Sequence, residues 1–187
     1  MEARKSDDLL KRNFTAEKPL SKCLTDITEI KAKNGRPYVS AIFDCYDLTA
    51  IGLAMDENMK AELCAATVEN AAAAYPDFDG AVLHSDRGSQ YTSELYRCSL
   101  NEFNVRQSMN SADGRCHDNA RCESMWARMK NELFYSRGRR STDYTTEQLK
   151  TMIWRYYMSY WNNRRICSAI GGMPPAEKRR RYYSAMA

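Results

Sequence analysis

A mixed α/β fold, a β-sheet flanked by helices, is what this sequence predicts, and three observations predict it. Three short segments rich in apolar and β-branched residues follow one another between residues 24 and 55, joined by tight connections. From residue 58 helical and extended patterns alternate, and from about residue 119 the period is helical. The hairpin at the start excludes a wholly parallel sheet.

Residues 1–20 are polar and charged with little periodicity and read as a tail or linker, which leaves 21–187 as one core domain. Leu24 to Ile30 alternates like a strand, with Asp26 on the face of Leu24, Thr28 and Ile30. Asn34-Gly35 is a hairpin turn, because both residues tolerate positive φ. Tyr38 to Asp44 and Ala50 to Met55 are the second and third strands. Asn58 to Tyr75 is an alanine-rich helix that Pro76 stops. Ala81 to His84 is a short apolar strand, and Ser93 to Phe103 a helix with Leu95, Leu100 and Phe103 at helical spacing. Val105 marks another short strand. Residues 109–118, rich in Asn, Ser, Asp and Gly, form a loop. Asp118 or Asn119 caps a helix running through Tyr135. Thr145-Thr146-Glu147-Gln148 is a capping box opening a helix to about Asn163, with Leu149, Ile153, Tyr156 and Tyr160 on one face.

With 187 residues, 43% hydrophobic and 28% charged, the chain suits one soluble domain. It has no apolar stretch of membrane-spanning length and no signal peptide at its start, so a cytoplasmic, non-membrane protein is expected. The seven cysteines are odd in number and include no Cys-x-x-Cys pair, which argues against a disulfide framework. Cys116, His117 and Cys122 have a spacing that fits no common zinc finger. The net charge of +4 hides an asymmetry: residues 1–120 carry 14 Lys/Arg and 19 Asp/Glu, residues 121–187 carry 14 and 5. A basic C-terminal helical region interleaved with aromatic residues points to nucleic acid as the partner.

Three carboxylates stand out. Asp26 lies mid-strand, where a charge must be solvated or hold something positive. Asp86 follows the carboxyl end of a strand, where sites in open α/β sheets lie, and Gly88 permits close backbone approach by a ligand. Glu123 falls in the first turns of the helix after the loop. Each has a plainer reading: an edge-strand charge, a turn cap and a helix-dipole partner. Together they form an oxygen donor set for hard divalent cations. Two such ions about 4 Å apart activate a nucleophile on one side of a phosphate and stabilise the leaving oxygen on the other.

Leu24-Thr25-Asp26-Ile27-Thr28, His84-Ser85-Asp86-Arg87-Gly88-Ser89-Gln90-Tyr91 and Asp118-Asn119-Ala120-Arg121-Cys122-Glu123-Ser124 resemble the three signatures of the integrase core, and most closely those of insertion-sequence-three family transposases. Lys130, Tyr160-Trp161-Asn162-Asn163-Arg164-Arg165 and Met173-Pro174-Pro175-Ala176-Glu177 match further family features. The resemblance runs from about Asn13 to Tyr182. It implies an RNase H-like fold and a DDE triad of Asp26, Asp86 and Glu123 holding two Mg²⁺ or Mn²⁺ ions when DNA is bound. It implies nicking of element ends to 3′ hydroxyls, which then attack a second phosphodiester without ATP or a covalent enzyme intermediate. It also implies the bacterial cytoplasm, DNA (terminal repeats and target) as substrate, and a homo-oligomer assembled on it.

Seven residues are about two helical turns, so Lys130 shares a face with Glu123 and is the first candidate for contact with terminal DNA. Arg87, Arg164 and Arg165 are further phosphate-contact candidates by charge. Asn119 is a candidate for orienting the loop, and Asp44, which recurs in the family's second strand, for a structural role. The chain departs from the family pattern in three places. Asp86 and Glu123 have 36 residues between them, one more than usual, and Cys23 and Cys167 replace an expected tryptophan and histidine. Relatives carry helix-turn-helix segments upstream, whereas here about 20 residues precede the first strand, so an upstream helix-turn-helix protein or segment is expected as a partner. Two other readings stand beside this one: a catalytically silent DNA-binding or regulatory remnant, and a nuclease acting on RNA–DNA hybrids.

Overall fold

The computed structural model describes residues 6–110 and 120–187. Five strands form one sheet in the order β3-β2-β1-β4-β5. Strands β1 (Lys22–Glu29), β2 (Tyr38–Asp44) and β3 (Ala50–Asp56) make the expected antiparallel meander. Strands β4 (Val82–Ser85) and β5 (Arg106–Met109) then join the other side of β1 in parallel. The mixed sheet flanked by helices is therefore as anticipated. Asp26 is in the central strand, which removes the edge-strand explanation for its charge.

The alternation along β1 sorts the two cores. Cys23 and the partly buried Ile27 face one cluster, with Ile42, Ile51, Cys64 and Val68, beneath helix α1 (Ala61–Ala74). Leu24 and Ile30 face the other, with Phe43, Trp126, Leu149 and Trp161. Gly52 lets α1 approach β3, because a Cβ there would stand 2.5 Å from the Thr67 carbonyl oxygen. After β4 a single turn, α2 (Ser89–Thr92), leads into α3 (Glu94–Glu102). Ser93 caps α3 by accepting the Tyr96 N–H, and the helix buries Tyr96 and Leu100 while leaving Leu95 exposed.

Helix α4 (Ala120–Leu133) and helix α5 (Thr146–Arg155) cover the opposite face. The Thr145–Gln148 capping box forms as expected. Beyond Arg155 the helix widens into a π turn, Tyr156–Trp161, which shifts the buried face. Tyr157 and Trp161 enter the core, and Tyr160, expected on one face with Leu149, Ile153 and Tyr156, is 44% exposed while those three are buried. A further helix, α6 (Pro175–Met186), closes the chain.

Residues 6–20, expected as a tail or linker, contain no helix or strand but are anchored. Leu10 and Leu20 are buried, Met109 donates its N–H to the Asp7 carbonyl, and Leu9 N–H bonds Ser108 Oγ, so the segment covers the edge of β5. Most of the expected loop 109–118 and the caps Asp118 and Asn119 lie outside the described residues, as do Cys116 and His117. Among the described residues no helix is long and apolar enough to cross a membrane.

Candidate active site

Leu24 of β1 pairs with His84 of β4 in the parallel ladder, and Asp26 and Asp86 each follow two residues later, Asp26 within β1 and Asp86 just past Ser85, the last residue of β4. The period of two puts Asp26 on the face of Leu24, against which α4 packs. Asp86 Oδ1 accepts the Gly88 N–H at 2.8 Å. The turn-cap reading of Asp86 thus holds, and the bond fixes the orientation of this candidate carboxylate. Gly88 meets a narrower requirement than ligand approach: a Cβ would stand 3.0 Å from Asp86 Oδ1 and 2.7 Å from Gln90 Oε1.

Helix α4 supplies the third. It docks on β1 through polar contacts: Trp126 Nε1 donates to Asp26 Oδ2 at 3.0 Å, and Lys130 Nζ donates to Thr28 Oγ1 at 3.0 Å and to the Glu29 carbonyl at 3.4 Å. Glu123 lies one turn before Trp126 and is exposed. Electrostatics reports the same neighbourhood. Burial pushes the Cys64 thiol up to about 12, with Asp86 and Asp26 adding to the rise. Burial likewise raises Cys122, and Asp26 and Glu123 both contribute.

The donors are all oxygen, the chemistry that Mg²⁺ or Mn²⁺ needs, and the residues fit such an ion in kind. Among the described residues, however, no three His, Cys, Asp or Glu side chains are gathered closely enough to hold a metal. Asp26 lies on β1, Asp86 just beyond β4, and Glu123, exposed, on α4.

The four basic candidates separate. Lys130 is half-buried against β1, and burial lowers its pKa while Glu29 counteracts this. An ordinary exposed helix lysine is excluded. Arg87 Nε donates to the Asn110 carbonyl, tying the turn after β4 to the end of β5. Arg165 forms an ion pair with Glu132 at 2.6 Å and lies over the Trp161 ring at 4.9 Å. Arg164 is exposed.

Sequence reasoning passed over several residues. Trp126 was read as one of many aromatic residues; its signal was its place between Glu123 and Lys130 on one helix. Asn162 Nδ2 and Oδ1 bond the Ala50 carbonyl and N–H, and Trp161 Nε1 bonds the Leu48 carbonyl, so this basic-aromatic motif clasps the start of β3. Asp44 is structural, as expected, and its partner Arg179 was missed. Arg179 pairs with Asp44 at 2.6 Å and Asp47 at 2.7 Å.

Two family models, both described as integrase core domain, match residues 16–116 and 105–175. A transposase-like protein of Haemophilus influenzae is 36% identical over 93% of this chain and 77% of its own length. A probable transposase for insertion sequence element IS1353 of Shigella flexneri is 36% identical over 92% of the chain, which spans 33% of that relative. Transposase InsF for insertion sequence IS3A of Escherichia coli is 31% identical over 92% of the chain and 58% of its own length. Among solved structures, the simian T-cell lymphotropic virus intasome in complex with a PP2A regulatory subunit superposes with a TM-score of 0.66 at 12% identity, covering 94% of this chain and 59% of that one. The HTLV-2 integrase catalytic core domain with magnesium gives 0.60 at 10% identity, covering 87% and 97%. The fold is thus that of the retroviral integrase cores, RNase H-like.

Proposed function

The chain belongs to the integrase-core DDE transposases of the insertion-sequence-three family, and from that premise we propose that it cleaves DNA strands and joins them to new phosphodiesters, using divalent metal ions held by Asp26, Asp86 and Glu123. The observation that carries the reading is the pairing of Leu24 with His84, which sets Asp26 and Asp86 each two residues beyond a paired position, together with the bond from Trp126 of α4 to Asp26. It supports a site in which these two carboxylates are joined by Glu123 of α4.

Bound Mg²⁺ or Mn²⁺ would supply a Lewis acid on the phosphate and a deprotonated water or 3′ hydroxyl. The chain's own residues do the rest. Asp86, held by the Gly88 N–H, presents an oriented ligand oxygen. Glu123 is exposed and closes on the strand pair when DNA occupies the site. Lys130, on the same helix face as Glu123, contacts the terminal phosphates. Arg87 and Arg164 are further phosphate contacts, and Arg165 becomes one only by leaving Glu132. The substrate is DNA, both element ends and target. The active form is a homo-oligomer on DNA in the bacterial cytoplasm, with terminal-repeat recognition by a helix-turn-helix segment or partner.

The decisive experiment is strand transfer with oligonucleotides of the element's ends in Mg²⁺ or Mn²⁺, with a Glu123→Gln control. Joined products that the control abolishes are expected. A folded, metal-binding chain that makes none, even with the helix-turn-helix partner added, would instead be a silent DNA-binding form.

A further inference from the structure

We infer that Trp126 is a positioning residue for the metal site: its indole N–H fixes the Asp26 carboxylate without giving it a positive charge. The inference rests on Asp26 being a metal ligand, as proposed above.

The bond is 3.0 Å long, from Trp126 Nε1 to Asp26 Oδ2. The indole is held from two sides. Phe43 of β2 meets its ring edge-on at 5.6 Å and Tyr157 of the π turn at 5.7 Å. Tyr157 Oη also donates to the Met125 carbonyl at 3.3 Å, so the π turn grips α4 at the residue beside Trp126. Trp126 is 4% exposed. A ring so enclosed has one orientation, and its N–H points at one carboxylate oxygen.

The chemistry of the donor matters. A lysine or arginine bonded to Asp26 would neutralise its charge and compete with a divalent cation. An indole is a donor only and carries no charge. It restricts the carboxylate's rotation without itself neutralising the carboxylate's charge. The same contact sets how far α4 stands from β1, and hence where Glu123 can reach. Outer-shell partners of this kind orient a ligand and strengthen its hold on the ion.

Two measurements on the full chain test this. In the parent protein, paramagnetic Mn²⁺ should quench part of the tryptophan fluorescence and diamagnetic Mg²⁺ should not. The quenching should vanish in Asp26→Asn and in Trp126→Phe, whose remaining tryptophans are Trp154 and Trp161. Quenching that persists at full strength in Trp126→Phe, or bound Mn²⁺ without quenching in the parent, overturns the inference. Second, Mn²⁺ affinity by titration calorimetry should fall roughly 10-fold in Trp126→Phe, with the melting temperature little changed. Parent-like affinity in a folded Trp126→Phe protein, alongside loss of binding in Asp26→Asn, rejects the role of Trp126 and leaves the carboxylate site standing. Unchanged Mn²⁺ binding in Asp26→Asn, or none in the parent, rejects the carboxylate site itself and the inference with it.

Discussion

Two groups of carboxylates occupy neighbouring strands of this sheet and have opposite surroundings. Asp44 and Asp47, at the end of β2 and just beyond, are fully buried. Asp44 Oδ2 accepts the Leu20 N–H at 2.7 Å, its Oδ1 accepts the Tyr46 N–H at 2.9 Å, and the Arg179 guanidinium from α6 bridges both acids. Asp26 and Asp86 are only half-buried; the Trp126 indole donates to the first and the Gly88 amide to the second. Among the described residues neither Asp86 nor Glu123 has an ion-pair partner. Buried carboxylates need internal cations to be tolerated. A half-buried carboxylate near solvent is the kind that the proposed metal site requires. One pair closes the fold; the other is the proposed site.

The largest expected effect breaks the open group. Asp86→Asn keeps an oxygen to accept the Gly88 N–H but loses the charge. Strand-transfer rate should drop by more than the roughly 100-fold that loss of an outer-shell partner costs a metal site, with circular dichroism unchanged. An unfolded variant would show that Asp86 belongs with the structural pair.

The next breaks the closed group. Arg179→Ala leaves two acids buried without their cation and should destabilise the chain by about 3–5 kcal/mol in urea unfolding. Strand transfer per folded molecule should be unaltered. Retained stability would mean that α6 does not close the sheet.

The closed group carries a pH response. Burial first, and then Asp47, raise Asp44 from 3.8 to about 6 in the folded protein. A raised carboxyl contributes stability that is present below pH 3.8 and is lost as pH rises through about 6. Asp44→Asn removes this dependence, so stability measured between pH 4 and 7 should decline less in the variant than in the parent. An unchanged slope would assign the dependence to other groups.

The smallest effects sharpen the distinction between structural and DNA-facing arginines. Arg165→Ala deprives Glu132 of a 2.6 Å partner, and Tyr156 Oη donates to the same carboxylate. A loss of about 1–2 kcal/mol is expected. Arg164→Ala should change stability by less than about 0.5 kcal/mol while weakening DNA binding and its salt dependence. The reverse pattern would exchange their roles.

Much of this was legible in local sequence. Strands β1 to β4, the Asn34-Gly35 turn and the Thr145 capping box follow from period and turn chemistry, which act over a few residues. The three candidate carboxylates stand out locally, because Asp86 follows a strand and Glu123 opens a helix. The side chains packed against the acidic residues do not. Trp126 meets Asp26 across 100 residues of chain, and Arg179 meets Asp44 across 135. The π turn, too, leaves no periodic trace, yet it decides that Tyr157 and Trp161 rather than Tyr160 enter the core. Alternation and capping specify which way a side chain faces on its own element. Which carboxylate receives a cation and which receives a neutral donor depends on what packs against that face, and only the docking of α4 and α6 onto the sheet decides it.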